Sequence, residues 1–163
     1  MNKAFPFIFS FAFSFLQACG QTNKEVVKAR GYFMIPTPGT IAVDDSGNPL
    51  NASRDTVFTL YVETKSKTVK WERAWKNGRS FALIPSQINK EEIVGTAKKD
   101  NGKIVIAPGN SNTLWRLELA DDQKKEKLPQ AAQQGILLKG RSGNKPFYIV
   151  IKSLTELASP EYQ

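Results

Sequence analysis

The chain has 163 residues, 40% of them hydrophobic and 23% charged, and 23 Lys and Arg against 15 Asp and Glu give it a formal charge of +8. It contains no histidine and one cysteine, Cys19. That combination excludes an internal disulfide, the Ser-His-Asp and Cys-His nucleophile arrangements, histidine acid-base chemistry and most zinc, copper and iron sites. A chain of this length is sufficient for one domain with its own core, and neither an internal repeat nor a second domain is visible.

The first stretch has the layout of a secretory leader: Lys3 at the start, an apolar run from Ala4 to Leu16, and a small residue, Ala18, ahead of the cysteine. Phe5, Phe7, Phe9, Phe11, Phe13 and Phe15 alternate as they would in a strand, but position overrides that pattern. The run is also too short to cross a hydrocarbon core about 30 Å thick, which takes a helix of roughly 20 residues. Leu16-Gln17-Ala18-Cys19 resembles the lipobox of bacterial lipoprotein precursors, with Gln17 in place of the small or branched residue commoner there. The resemblance is confined to the leader. It implies removal of residues 1–18 as a signal peptide, a diacylglyceryl group on the Cys19 thiol and acylation of the new amine, palmitate-type chains that together hold the protein on a membrane. Gly20 after the cysteine, where Asp would retain the protein, implies passage to the outer membrane, facing either the periplasm or the outside. Cleavage before Cys19 leaves 145 residues with 22 basic and 15 acidic side chains, since only Lys3 is lost. Behind such a leader the polyanions within reach are lipopolysaccharide, phospholipid headgroups and acidic glycans rather than nucleic acid.

Residues 19–28 read as a lipidated, flexible tether with Val26 as the earliest start of a strand, and residues 29–163 as one domain. Ala29 to Ile35 has strand composition and is stopped by Pro36, Pro38 and Gly39. Asp44-Asp45-Ser46-Gly47-Asn48-Pro49 is a turn; its clustered oxygens lack the spacing of the twelve-residue calcium loop. Thr56 to Glu63 alternates, with Phe58, Leu60 and Val62 on one face. Thr68 to Lys76 leads into Asn77-Gly78, a strong hairpin signal, and Arg79 to Ile84 returns as far as Pro85. Helix competes for Trp71 to Lys76, because Glu, Arg, Ala and Lys propagate helices and Gly78 can stop one; strand is the preferred reading. A second hairpin runs from Ile93 to Ala97 and back over Lys103 to Ala107 around Asn101-Gly102. Thr113 to Leu119 alternates again, Trp115, Leu117 and Leu119 opposite Arg116 and Glu118. Ala120 to Gln134 is a charged surface loop. Gly135 to Lys139 and Pro146 to Lys152 form a third hairpin, and Ser153 to Gln163 is expected to fray.

About seven to nine short strands with Gly, Pro and Asn punctuation predict an all-β fold, an antiparallel β-sandwich of immunoglobulin-like type, with a small closed barrel as the alternative. The stretch Lys65 to Phe81 holds six basic residues, one acid and two of the three tryptophans. In a regular strand Val69, Trp71, Arg73 and Trp75 share a face, which sets a guanidinium between two indoles. Such a contact contributes about 0.5 to 2 kcal/mol, and Trp and Arg are enriched at binding hot spots. Trp71, Arg73, Trp75, Lys70, Lys76 and Arg79 are therefore the candidate binding residues, for a sugar ring, an anionic headgroup or a protein. The competing reading puts both indoles in the core while Arg73 reaches water.

Ser142 and Lys145 match an S-x-x-K spacing, but in a turn and without partner motifs. The acid pairs Asp44-Asp45, Glu91-Glu92 and Asp121-Asp122 are adjacent, not facing across a cleft as paired carboxylates must. No enzymatic activity, cofactor or metal is expected. The expected role is a lipid-anchored accessory or adaptor in a cell-envelope protein assembly. A small sandwich lipoprotein is similar in outline to the anchoring lipoproteins of type VI secretion machines, an analogy of fold only. The alternative is a glycan or anionic-lipid binding module.

Overall fold

The structure, a computed structural model, describes residues 24–36, 45–46, 56–122 and 135–159. The expected leader, Cys19, half of the expected tether and most of the Asp44 to Pro49 turn and of the loop after Ala120 lie outside the described residues. The described residues form ten strands: β1 Val26–Met34, β2 Val57–Thr64, β3 Val69–Lys76, β4 Arg79–Ile88, β5 Glu92–Thr96, β6 Lys103–Ile106, β7 Thr113–Asp121, β8 Ile136–Ser142, β9 Lys145–Ile151 and β10 Leu154–Glu156. No helix occurs among the described residues. The strand reading of Trp71 to Lys76 therefore holds over the helical one.

The turns form where the turn chemistry demands them. Asn77 and Gly78 have φ of 48° and 79°, positive at both central positions as a two-residue hairpin of matching twist requires. Asn101, at φ 56°, reverses the chain between β5 and β6. Gly143, at φ 58°, leads a loop of only two residues between β8 and β9, so both strands run further than their apolar cores imply.

Eight strands share one sheet in the order β10-β1-β2-β7-β4-β3-β8-β9, and β5 and β6 form a separate ribbon. Every pairing is antiparallel except that of β1 with β10. The fold is all-β and mostly antiparallel, as expected. Its principal strands belong to one curled sheet rather than two hydrogen-bonded sheets, so the immunoglobulin-like arrangement does not describe its pairing.

The reason lies in the link between β9 and β10. Ile151 still pairs with Ile136 of β8, and Leu154, three residues on, pairs with Gly31 of β1. Only Lys152 and Ser153 separate the two edge strands, which must therefore stand close, and the sheet curls to bring them together. Ser153 to Glu156 thus does not fray: Leu157 N–H donates to Phe33 O at 2.8 Å and Ala158 N–H to Thr96 O at 2.8 Å, stitching the ribbon to the sheet as well.

The curl encloses the core. Leu60 and Val62 from β2, Trp71 and Ala74 from β3, Leu117 from β7 and Ile136 and Leu138 from β8 meet inside it, with Phe147 and Ile151 from β9. Each such Leu or Ile contributes about 1.5 to 3 kcal/mol relative to an exposed one. The inward residues of β2 and β7 are those their alternation identifies. On the outer face the ribbon covers a second cluster of Tyr32, Tyr61, Ile106 and Leu114.

One expectation fails in β4. Pro85 does not end the strand but pairs with Leu117 of β7, and β4 continues to Ile88. On its other side the ladder with β3 stops at Arg73↔Ala82, so the missing N–H of Pro85 interrupts no hydrogen bond there.

At Gly31 the strand brought round lies close: a Cβ there would collide with Leu154 and lie 3.0 Å from Ile151 Cγ2. Gly31→Ala is expected to destabilise the fold by about 1 to 3 kcal/mol, the usual cost of overpacking. Urea unfolding measures it, and Leu154→Ala in the same chain should return part of the loss.

Candidate functional site

A β-bulge decides the geometry of the tryptophan stretch. Trp71 pairs with Gly140 and Arg73 with Lys139, so Glu72 is an extra residue against β8. The insertion reverses the alternation of everything after it. Val69, Trp71 and Ala74 face the core, while Trp75 turns to the opposite face against Leu137 and Val150. Trp71 and Trp75, expected on one face, are on opposite faces, and the Trp-Arg-Trp ladder does not form.

Neither indole is available as an open platform: Trp71 is 8% exposed and Trp75 2%. Trp71 makes edge contacts with Trp115 at 6.4 Å and Phe147 at 5.7 Å between ring centroids. The Phe147 ring lies over Gly140, where a Cβ would stand 2.6 Å from it. Trp115 donates its Nε1–H to Thr64 Oγ1 at 2.9 Å, whereas the N–H groups of Trp71 and Trp75 meet no acceptor among the described residues.

The cations of the stretch separate into three environments. Arg73 pairs with Asp122 at 3.0 Å, both side chains largely shielded from water. Glu72 takes Lys139 at 2.8 Å and Arg141 at 2.9 Å, so the one acid of the stretch neutralises charges from β8. Lys76 lies over the Phe58 ring at 4.6 Å, and burial lowers its pKa. Arg79 is exposed, 3.4 Å from Asp121, and Lys70 is exposed opposite Arg141. The six candidate binding residues thus do not converge. Two of the adjacent acid pairs prove to be structural. The Asp121-Asp122 pair serves Arg79 and Arg73, and Glu92 of the other is half-buried in a polar cluster.

That cluster is what the linear pattern conceals. Tyr61 donates to Glu92 Oε1 at 2.8 Å, and Arg116 reaches the same oxygen at 2.9 Å and Glu118 at 3.3 Å. It ties β5 to β2 and β7. Burial first, then the hydrogen bond to Glu92, pushes the Tyr61 phenol far above its ordinary value and keeps it neutral. Glu92 raises Arg116 in turn. Beside the cluster lies a cavity of about 120 Å³ bordered by Lys28, Arg30, Tyr61 and Glu63. A larger groove, about 510 Å³, follows the seam where β1 meets the β9–β10 link, between Arg30, Tyr32, Ile104, Val150 and Lys152. No group of three or more metal-ligating side chains is found among the described residues. Ser142 spends its hydroxyl on Glu25 Oε2 at 3.1 Å.

No protein-family profile, curated protein or solved structure matches this chain.

Two outcomes follow from the bulge. Iodide should leave the native fluorescence of all three tryptophans largely unquenched and quench it fully in urea, and Trp71→Ala should cost about 3 to 5 kcal/mol in unfolding free energy. Lys139 and then Arg141, by hydrogen bonding, hold the Glu72 carboxyl below its ordinary 4.5. A depressed folded pKa means stability that is complete above pH 4.5 and is lost as pH falls toward the folded value. Glu72→Gln should therefore flatten the acid limb of the stability profile, compared by urea midpoints between about pH 3 and pH 6.

Proposed function

We propose that the protein is a lipid-anchored, non-enzymatic lipoprotein of the bacterial cell envelope, cut before Cys19 and acting as an accessory or adaptor in a protein assembly. The observation that carries this is the lipobox Leu16-Gln17-Ala18-Cys19 behind a basic start and an apolar run. Support comes from how few residues separate it from the first strand. β1 starts at Val26, and Glu25 is already held, its carbonyl accepting from Lys65 N–H at 3.0 Å and its carboxylate from Ser66 N–H at 2.7 Å. The anchor and a folded scaffold are thus adjacent in the chain. In this reading the sheet, folded over one core, is a sandwich-like support, and its ionisable groups serve it by pairing with one another in the Tyr61-Glu92-Arg116 and Glu72-Lys139-Arg141 clusters.

An adaptor needs a face for its partner. The ribbon offers one: Ile93 and Val105 oppose each other across the β5–β6 ladder and are 59% and 38% exposed. An apolar cross-strand pair turned to water on a two-stranded ribbon is suited to a protein surface. The second reading, a glycan or anionic-lipid binder, loses its indole platform and keeps only its charge.

Metabolic labelling with an alkyne palmitate tests the anchor. Label should enter the wild-type chain, whereas Cys19→Ser should take up none and accumulate with its leader uncut. For the adaptor role, crosslinking in the native cells followed by purification through a C-terminal tag should bring down one dominant envelope protein, and Ile93→Arg should release it. Recovery of polysaccharide or lipid alone would favour the second reading.

A further inference from the structure

The register places several turns at one end of the sheet. Val26 pairs with Thr64 and Thr64 with Thr113, while Ile88 pairs with Leu114, and Val69 and Lys145 both pair with Ser142. The start of β1, the β2–β3 turn, the end of β4 and the β8–β9 turn are therefore neighbours. Glu25 fastens three of them, through Lys65 N–H, Ser66 N–H and the Ser142 hydroxyl.

This end is rich in lysine. Lys24, Lys65, Lys67, Lys70, Lys90 and Lys145 are all exposed, and none enters an ion pair among the described residues. The local acids offset them little. Glu25 is engaged as above, Glu63 accepts from Asn112 Nδ2 at 2.7 Å and Gly109 N–H at 3.1 Å, and Glu91 is the exposed carboxylate. At the opposite end Arg79 is matched by Asp121 and Lys98 by Glu156 at 2.6 Å, while Lys99 and Lys103, exposed and outside the ion pairs, stand beside the exposed carboxylate of Asp100.

The anchor enters at the lysine-rich end. Lys24 is five residue steps from Cys19, which fully extended span at most about 18 Å. An acylated Cys19 would thus keep these lysines near a lipid surface, and a tether that short makes any second contact effectively intramolecular. The cations are lysines, flexible point charges without the fixed fork of Arg and without a pocket around them. That suits a fluid plane of phosphates better than one bound anion.

We propose that the lysine-rich end of the sheet is a second, electrostatic contact with anionic phospholipid headgroups of the leaflet that holds the Cys19 acyl chains, and that it sets which end of the domain faces the membrane. This rests on the lipoprotein reading. The opposite end, with the β3–β4 hairpin, then points away, and the β5–β6 ribbon stands to the side where a partner can reach it. Each lysine near an anionic surface strengthens the contact roughly fivefold, within a screening distance of about 8 Å at physiological salt.

The test uses the mature, acylated protein reconstituted in phosphatidylcholine vesicles with or without phosphatidylglycerol, together with a headgroup nitroxide quencher. With the Cys19 thiol acylated, Asn144→Cys and Asp121→Cys each supply one thiol for a fluorophore, at the lysine-rich and opposite ends. Phosphatidylglycerol should make the Asn144 label several-fold more quenched than the Asp121 label. High salt should erase the difference, as should changing Lys65, Lys67, Lys70 and Lys145 together to Glu. Should that fourfold variant not fold, Lys65→Glu and Lys145→Glu separately should each lower the preference by about fivefold or more. Equal quenching at both ends, or a preference that survives salt or charge reversal, overturns the proposal. The N-terminal mass separates the two readings: a Cys19 without acyl groups overturns the lipoprotein reading itself, whereas an acylated protein with no preferred end overturns only the orientation.

Discussion

A sheet with one apolar face and no helix laid across it can bury that face only against more sheet. Here the same sheet supplies both sides. Leu60 and Val62 from one part face Trp71, Leu138 and Phe147 from another, and these residues form one cluster. One covalent link and one hydrogen-bonded ladder enforce that closure: β9 and β10 are separated by two residues, and β10 is paired to β1 at the other edge. Gly31 is the consequence, since the strand brought round fills the space a Cβ would occupy. Phe147 over Gly140 is another, a ring replacing the missing side chain of its cross-strand partner.

The curl also sorts the charges. Lys76 rests its ammonium on the Phe58 ring, at the margin of the core. On the outer face the bulge at Glu72 places a carboxylate between Lys139 and Arg141, and the Tyr61-Glu92-Arg116 cluster holds the ribbon down. An unpaired buried charge is costly, so these groups are satisfied by one another at distances near 2.9 Å. The basic excess that remains is not spread evenly. Six exposed lysines outside the ion pairs lie at the end from which the chain runs back toward Cys19.

A basic composition behind a lipid anchor has a different meaning from the same composition in a free domain. Charge on an untethered surface mostly solubilises it. Held within a few residues of a membrane, the same lysines act at high effective concentration of headgroup, and modest single contributions add. The proposed anchor and the lysine-rich end thus belong to one physical account, in which acyl chains supply affinity and charge supplies direction.

Alternation and turn chemistry are local, and there the sequence sufficed. The faces of Thr56 to Glu63 and Thr113 to Leu119, and the reversals at Asn77-Gly78 and Asn101-Gly102, depend on neighbours along the chain and on backbone sterics, and the strands formed where these placed them. The candidate site was legible only as a list of residues. Whether Trp71 and Trp75 share a face depends on one extra residue opposite Lys139, and nothing in the period of the stretch marks it. Arg73 was legible as a cation, but not its partner Asp122, nearly fifty positions later. Pro85 could continue a strand because β3 diverges beside it, and Leu154 to Glu156, too short to read as a strand, became one by pairing with β1. Composition, strand content and two of the turns follow from residues adjacent in the chain. Register, bulges, the single curled sheet and the gathering of six lysines at one end were decided by the tertiary structure, because each depends on which strand lies alongside rather than on which residue comes next.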